Sequence, residues 1–379
     1  MKVELIEHVE RLEELRASWD TLAVARGRPY SAPAWQLAWW HEARPADAFL
    51  LAAAVWDREE LVAIAPMYVR RSRVSRCGTL GSPAADGVEP LARAGTEAEA
   101  ASALAGALGE ATPRPLVLTL RGRGDDPEWP RLLAHGWPDA RPPWLHDEPP
   151  IPAPKIDLRG RTADEWLASL SSNTRSQLKR RRRRLLDAGA TFRTSAVDEL
   201  ERDIAVFTAL HRSRWEWRGG SAVLSNGVES MVLRAARELA TENRFRLYAV
   251  DLGHRTIAAQ IVMAAGGTAS HWLGGFEEAW APLQPGIQTI YYAIEAAFEQ
   301  GDEVFDLGGG AEEYKGRLAT RGGTVVTTSL VPRGSGYLGA RIAIVPRHLR
   351  QAVAARIPVE RRRRLKQRLW WLRRGRRAG

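Results

Sequence analysis

Leu12, Leu15, Trp19 and Leu22 recur at the spacing of one helix face, which predicts a helix over His8–Ala23. Pro29-Tyr30-Ser31 ends it, and Trp35, Trp39 and Trp40 mark a second helix over Ala34–Ala43. Two apolar runs, Phe49–Trp56 and Leu61–Arg70, flank Asp57-Arg58-Glu59-Glu60 and read as a β-hairpin. Next come a loop over Gly81–Pro90, an alanine-rich helix over Thr96–Glu110 with Thr96 as N-cap, and a strand over Pro115–Leu120. Six prolines between Pro142 and Pro154 predict a linker.

The pattern then repeats in kind. A helix is predicted over Ala163–Ala188, closed by Gly189, then a strand over Thr191–Thr194. A helix over Val197–Trp215 ends at Gly219 and Gly220, and another spans Gly227–Thr241. Strands over Phe245–Asp251 and Thr256–Ala264 flank Leu252-Gly253-His254-Arg255, a second hairpin. A strand over Ala269–Gly274, a helix over Gly286–Gln300, a strand over Glu303–Leu307 and two strands near Val325–Val331 complete the series. Laying Phe49 on Phe245 without gaps pairs Leu51 with Leu247, Ala53 with Ala249, Ala63 with Ala259 and Met67 with Met263. The chain therefore reads as an internal duplication of an α/β unit, with mixed sheets covered by helices.

Composition narrows the class. A chain of 379 residues has room for about two domains. Its 45% hydrophobic and 26% charged residues exclude general disorder. The single cysteine, Cys77, excludes a disulfide framework and a multi-cysteine zinc site. The longest apolar run, Phe49–Trp56, is too short to span a membrane. The charged opening MKVELIEHVERLEELR lacks the apolar core of a signal peptide, so a cytoplasmic location is expected.

The net charge of +10 is local. From Arg341 to Gly379, 14 Lys/Arg face one acid, Glu360, while the rest carries 41 basic and 44 acidic residues. A nearly neutral body offers no continuous basic face, which argues against a nucleic-acid partner. Within 346–379, Leu365, Leu369 and Leu372 share one helical face beside Trp370, Trp371 and many arginines. That basic amphipathic pattern fits an anionic membrane surface, which would make the protein peripheral at the inner face. A solvated tail is the plain alternative. The chain divides into 1–150, 151–335 and a basic helical tail, 336–379.

Two further segments carry candidate chemistry. Lys179–Arg184 puts six cations in succession on a helix, where they repel one another unless anions lie nearby; Arg175 extends one face. At Pro285-Gly286 a helix start is preorganised, and the N–H groups of Ile287, Gln288 and Thr289 would suit a pyrophosphate. Gly308-Gly309-Gly310 lacks the Lys-Ser/Thr of a nucleotide-binding loop and reads as a turn.

RLYAVDL-GHRTIAAQIVM, then HWLGGF, then QPGIQTIYYAIEAAFEQG, then EVFDLGGGAEEYKGR form an ordered series. Upstream stand SSNTRSQLKRRRRRLLDAG and LHRSRWEWRGG. Together they resemble the GNAT-fold acyltransferases, specifically the CelD/BcsL branch with its BioF2-like acetyltransferase domain. That branch is related in architecture to the double-GNAT FemABX peptidyltransferases. The resemblance is strongest over about 160–330 and fainter over 1–150.

The resemblance implies a tandem (double) GNAT-like acyl-CoA N-acyltransferase fold, with a degenerate first half that shapes the acceptor cleft. Acetyl-CoA or another acyl-CoA would be co-substrate, and no metal is implied. Ala269–Phe276, with Leu273 and Gly274, would line the thioester, and Gln284, Pro285, Gly286, Ile287 and Gln288 would cradle the pyrophosphate. This loop departs from the usual Gln/Arg-x-x-Gly-x-Gly/Ala of the fold. Candidate bases are Asp306, Glu313 and His211. Tyr314 could protonate the leaving thiolate, and Lys315 could hold a phosphate or carboxylate. Trp215, Arg175 and Lys179 fall on the acceptor side. A turn-capping Asp306, an exposed Glu313 and a packed His211 are the structural alternatives. The acceptor would be an amine or hydroxyl of a small molecule or glycan, in polysaccharide or cell-envelope biosynthesis. Aminoacyl transfer from charged tRNA and a non-catalytic, membrane-docked module are the rivals.

Overall fold

The computed structural model describes residues 1–344 except 72, 113, 125–128, 217–222 and 225. Gly219 and Gly220, and the tail from residue 345 onward, lie outside the described residues.

The first half runs β1 (Lys2–Ile6), α1 (Val9–Glu14), α2 (Arg16–Ala25), α3 (Pro33–Glu42), β2 (Ala48–Leu50), β3 (Ala52–Asp57), β4 (Glu60–Ala65), β5 (Met67–Arg70), β6 (Arg76–Thr79) and β7 (Leu91–Ala92). It continues with α4 (Glu97–Glu110), β8 (Val117–Arg123), α5 (Trp129–His135), β9 (Trp144–Asp147) and β10 (Ile151–Pro152). The second half runs β11 (Lys155–Asp157), α6 (Ala163–Ser169), α7 (Ser172–Asp187), β12 (Ala190–Thr194), α8 (Leu200–Glu216), α9 (Val228–Leu239), β13 (Phe245–Leu252) and β14 (Arg255–Ala265). It closes with β15 (Thr268–Phe276), α10 (Pro285–Glu299), β16 (Val304–Asp306), α11 (Glu313–Leu318) and β17 (Thr324–Val331). Among the described residues three sheets form, in the orders β1-β3-β4-β7, β10-β17-β8-β6-β5-β2 and β11-β16-β15-β14-β13-β12.

The duplication is visible in the topology. The parallel pair β6–β8, joined through α4, recurs as the parallel pair β15–β16, joined through α10. The β3–β4 and β13–β14 hairpins each close on a two-residue turn and shift register at Val55/Trp56 and Val250/Asp251. Turn and bulge place equivalent residues 195 apart, so the offset of 196 set by Phe49 and Phe245 is one residue out. Such a slip exchanges the faces of every side chain. The true equivalents include Ala54 with Ala249, Val55 with Val250 and Ala63 with Ala258.

Sequence boundaries and structural ones part at two places. The proline-rich stretch is not a bare linker: β9 and β10 within it pair with β17. β17 itself comes after the second half yet lies antiparallel to β8, from Val325↔Arg123 to Leu330↔Leu118. Residues inside 151–335 thus complete the first half's sheet. A core cluster also crosses the halves, joining Trp35, Leu37 and Trp39 to Phe207, Met231, Phe245 and Met263. At Gly227 (φ 84°), a Cβ would lie 1.8 Å from the Glu42 carbonyl oxygen, so glycine lets α9 begin against the end of α3.

Two long predicted helices are each broken. His8–Ala23 divides at Leu15 into α1 and α2. Ala163–Ala188 divides at Leu170-Ser171 because two separate caps operate. Thr162 and Glu165 form a capping box for α6, and the Ser171 hydroxyl accepts from the Thr174 N–H for α7. Thr96 stands at the N-cap of α4 without a side-chain capping bond; its hydroxyl donates to the Arg93 carbonyl instead.

Candidate active site

β15 and β16 pair only over Thr268↔Val304, Ala269↔Phe305 and Ser270↔Asp306. Beyond Ser270, β15 stays with β14, while the chain after Asp306 turns away at Gly308 (φ 74°). The strands diverge into a wedge. Just past the divergence β15 carries a bulge: Val262 faces His271 and Ile261 faces Leu273, leaving Trp272 over. Trp272 is turned toward the first half, where its Nε1 donates to the Ala84 carbonyl (2.7 Å) and its ring meets Trp35 edge-on.

A cavity of about 320 Å³ fills the wedge. Its walls are His211 and Trp215 of α8, Gln260 of β14 and His271, Leu273, Gly274 and Phe276 of β15. Gln284, Gly286 and Ile287 stand at the start of α10, and Gly309, Glu312, Tyr314 and Lys315 close the far side. Adjacent glycines make the close approaches. A Cβ at Gly274 would lie 1.8 Å from Gln260 Oε1, and one at Gly275 would lie 2.5 Å from the His211 backbone nitrogen. A larger open depression of about 860 Å³ lies over α8 and the β13–β14 turn. Its charges pair with one another, as in Arg193–Asp203, Arg193–Asp251 and Arg255–Glu277. The wedge holds the chemically usable groups.

His211 is buried, with Nδ1 3.1 Å from the Gly274 carbonyl oxygen. The carbonyl can only accept, so Nδ1 carries the proton and the lone pair is on Nε2. Burial lowers the His211 pKa, with a smaller lowering from Arg214 set against the Gly274 bond, so the ring is neutral at pH 7. Burial raises the Tyr314 phenol, and the Glu312 charge adds to it, so the hydroxyl keeps its proton. His271 Nε2 lies 2.7 Å from Gln260 Oε1, while Gln260 Nε2 donates to the Gly286 carbonyl. Burial, then the charge of Lys315, pushes His271 down to about 3.

Other predicted site residues have different occupations. Asp306 is fully buried outside the cavity wall, ion-paired with Arg123 of β8, and accepts from the Gly308 N–H (2.8 Å). It ties the two halves together at the glycine turn. Glu313 is exposed, with Arg317 at 3.9 Å, and does not line the cavity. Lys315 does line it, but its ammonium is held by the carbonyls of Gly308 (3.3 Å) and Gly309 (2.9 Å) and by Glu312 (3.2 Å). That organises the turn and leaves little for a substrate anion. The N–H groups of Ile287 and Gln288 both return to the Gln284 carbonyl, so they do not point outward as expected. Gln288 is buried against Arg182 and, like Pro285, lies outside the cavity wall. Arg175 donates to the carbonyls of Ala168 and Leu170, and Lys179 is exposed on α7.

The mouth is nonetheless positive. Gln284 (φ 52°) caps α10 in the left-handed region, and its Oε1 accepts from Arg181 of α7. Burial lowers the pKa of Arg181, as do the like charges of Arg180, Arg317 and Arg184. Gln260, His271 and Phe276 belong to the wall without being marked out individually by any motif. His271 and Phe276 fall within the Ala269–Phe276 stretch expected to line the thioester, whereas the only sequence signal of Gln260 is a glutamine inside an apolar strand. No cluster of metal-ligating residues occurs among the described residues.

Residues 172–316 match the model of the acetyltransferase (GNAT) domain. The crystal structure of FemX is similar over 88% of this chain and 98% of its own, at 12% identity and a TM-score of 0.61. So is the C-terminal domain (DUF2156) of a putative lysylphosphatidylglycerol synthetase from Agrobacterium fabrum, at 11% identity, TM-score 0.50, 79% of this chain and 88% of that one. A conserved protein of unknown function from Bacteroides thetaiotaomicron is similar at 8% identity, TM-score 0.52, 87% of this chain and all of its own. No curated protein sequence matches the chain. The fold is a tandem GNAT-like one, with mixed sheets covered by helices, in the manner of FemX.

Proposed function

We propose that the protein is an acyltransferase that moves an acyl group from acyl-CoA to an amine or hydroxyl. The observation that carries this is a neutral His211, its tautomer fixed by Gly274, facing a wedge-shaped cavity where Arg181 of α7 reaches Gln284 at the start of α10. The acetyltransferase-domain match over the same residues supports it. The acceptor nitrogen or oxygen attacks the thioester carbonyl and gives its proton to His211 Nε2. The carbon–sulfur bond breaks, the Tyr314 hydroxyl donates a hydrogen bond to the leaving thiolate, and the proton gained by His211 leaves with the thiol. Arg181 and the exposed Arg180, Arg184 and Arg317 suit the phosphates of the donor. The motif order supports the CelD/BcsL branch and, with it, a small-molecule or glycan acceptor in polysaccharide or cell-envelope biosynthesis.

The basic outer face of α7, with Lys179, Arg180, Arg183 and Arg184 exposed, favours a second reading: aminoacyl transfer from charged tRNA. Thiol release from acyl-CoA in the presence of amine acceptors tests the first reading. Activity that requires charged tRNA and is destroyed by ribonuclease would establish the second instead.

A further inference from the structure

Beyond Val331 the chain forms a short helical segment over 337–344, which has two unlike faces. Ala340 and Ile344 are buried, packed with Val117 of β8 and Val331 of β17, with Leu116, Trp144 and Tyr337 around them. Leu338 and Ile342, one turn apart on the other face, are 71% and 69% exposed. They are the most exposed large hydrophobic side chains among the described residues. Arg341 lies over Trp144 and Tyr337, Arg333 over Tyr337, and Arg76 donates to the Ala343 carbonyl. The neighbouring β5–β6 hairpin adds Arg71, stacked 4.2 Å from the half-exposed Phe49 ring. An apolar ridge is thus set among arginines on one end of the first half.

We infer that this face is a docking surface for an anionic lipid bilayer. The sequence beyond residue 344 indicates the occupant. Residues 345–379 carry 13 Lys/Arg and one acid, interleaved with Leu365, Leu369, Trp370, Trp371 and Leu372. A second copy of this chain would bring the same cations against each other. A bilayer of anionic lipid offers negative charge at its surface and an apolar layer beneath, matching both features. Among the described residues no helix is long and apolar enough to cross a membrane. β8 also links this face to the glycine turn beside the wedge. β8 runs from Val117, under the helix, to Arg123, which holds Asp306 at the glycine turn. At about 3.3 Å per residue that distance is about 20 Å.

The test is sedimentation of the full chain with vesicles of phosphatidylcholine alone and of phosphatidylcholine mixed with phosphatidylglycerol. Wild type is expected to bind the mixed vesicles and not the neutral ones. The double variant L338S/I342S should bind about tenfold or more weakly with an unchanged melting temperature, since it loses only exposed apolar area. The variant R361Q/R362Q/R363Q/R364Q should also bind more weakly. Wild-type binding that L338S/I342S leaves intact would overturn the inference. So would equal binding to both vesicles, no binding to either, or a dimer in solution that L338S/I342S dissociates.

Discussion

His211 shows how one side chain becomes useful through its neighbours. Gly274 supplies the carbonyl that selects the tautomer, and burial keeps the ring neutral. His211→Ala should lower kcat by about 100-fold or more while leaving donor binding nearly unchanged, as measured by turnover and calorimetry. Because the neutral form is the base, activity should fall only as pH drops through a value below the ordinary 6.5. His271 makes a separate contribution, to stability. Below pH 6.5 the unfolded chain takes up a proton that the folded His271 refuses until about pH 3. Stability should therefore decline as pH falls through that window, by an amount on the order of 4–5 kcal/mol if nothing rearranges. Denaturant titrations should show a flatter acid limb for His271→Gln. Asp306 belongs to the same scale. Asp306→Asn breaks a buried ion pair with Arg123 and should cost about 3–5 kcal/mol of stability, without a selective loss of proton transfer. A catalytic defect in a variant that melts like wild type would restore Asp306 as the base.

At the level of elements, the second half is the more legible in sequence. Strands β13 to β16 and helix α10 announce themselves through continuous apolar runs, a Gly-His turn and a Pro-Gly start. The breaks within predicted helices are written in short cap signals, Thr162 with Glu165 and Ser171, which a long amphipathic run obscures. β9 and β10 are hidden because their stabilisation comes from pairing with β17, far along the chain, and prolines mask the pattern. The same limit applies to the site. His211, Trp215, Gln284, Gly286 and Tyr314 can be picked by motif, and the structure brings them to one cavity. That Lys315 and Asp306 have structural partners depends on a turn and on Arg123, neither readable from local sequence. The α8–β15 contact gives an element-level prediction. A methyl group at Gly275 would overlap the α8 backbone, so Gly275→Ala should cost about 1–3 kcal/mol in melting experiments and displace His211 from Gly274.

Over the whole molecule, the two halves are one folding unit with a duplicated plan. β17 returns to the first half's sheet, a shared core joins α3 to α9, and Arg123 reaches Asp306 across the boundary. Residues 1–150 and 151–335 expressed apart should each fail to fold, whereas the intact chain should unfold in one cooperative transition by both fluorescence and circular dichroism. Two separate transitions would contradict the strand exchange. The duplication itself is detectable from the repeated hairpin pattern, but its register is not, because alanine-rich strands match at more than one offset. A donor bound in the wedge at the start of α10 is the central claim, and thermal unfolding with a panel of acyl-CoAs, on wild type and on Gly286→Trp, tests it most directly. A ligand present at about 100 times its dissociation constant contributes about 2.7 kcal/mol, a visible rise in melting temperature. That rise is expected for wild type with at least one acyl-CoA. It should be lost in Gly286→Trp, where a side chain would press on Phe276 and Gln260 at the mouth. No rise with any acyl-CoA, or an equal rise in both proteins, would contradict a donor site in the wedge.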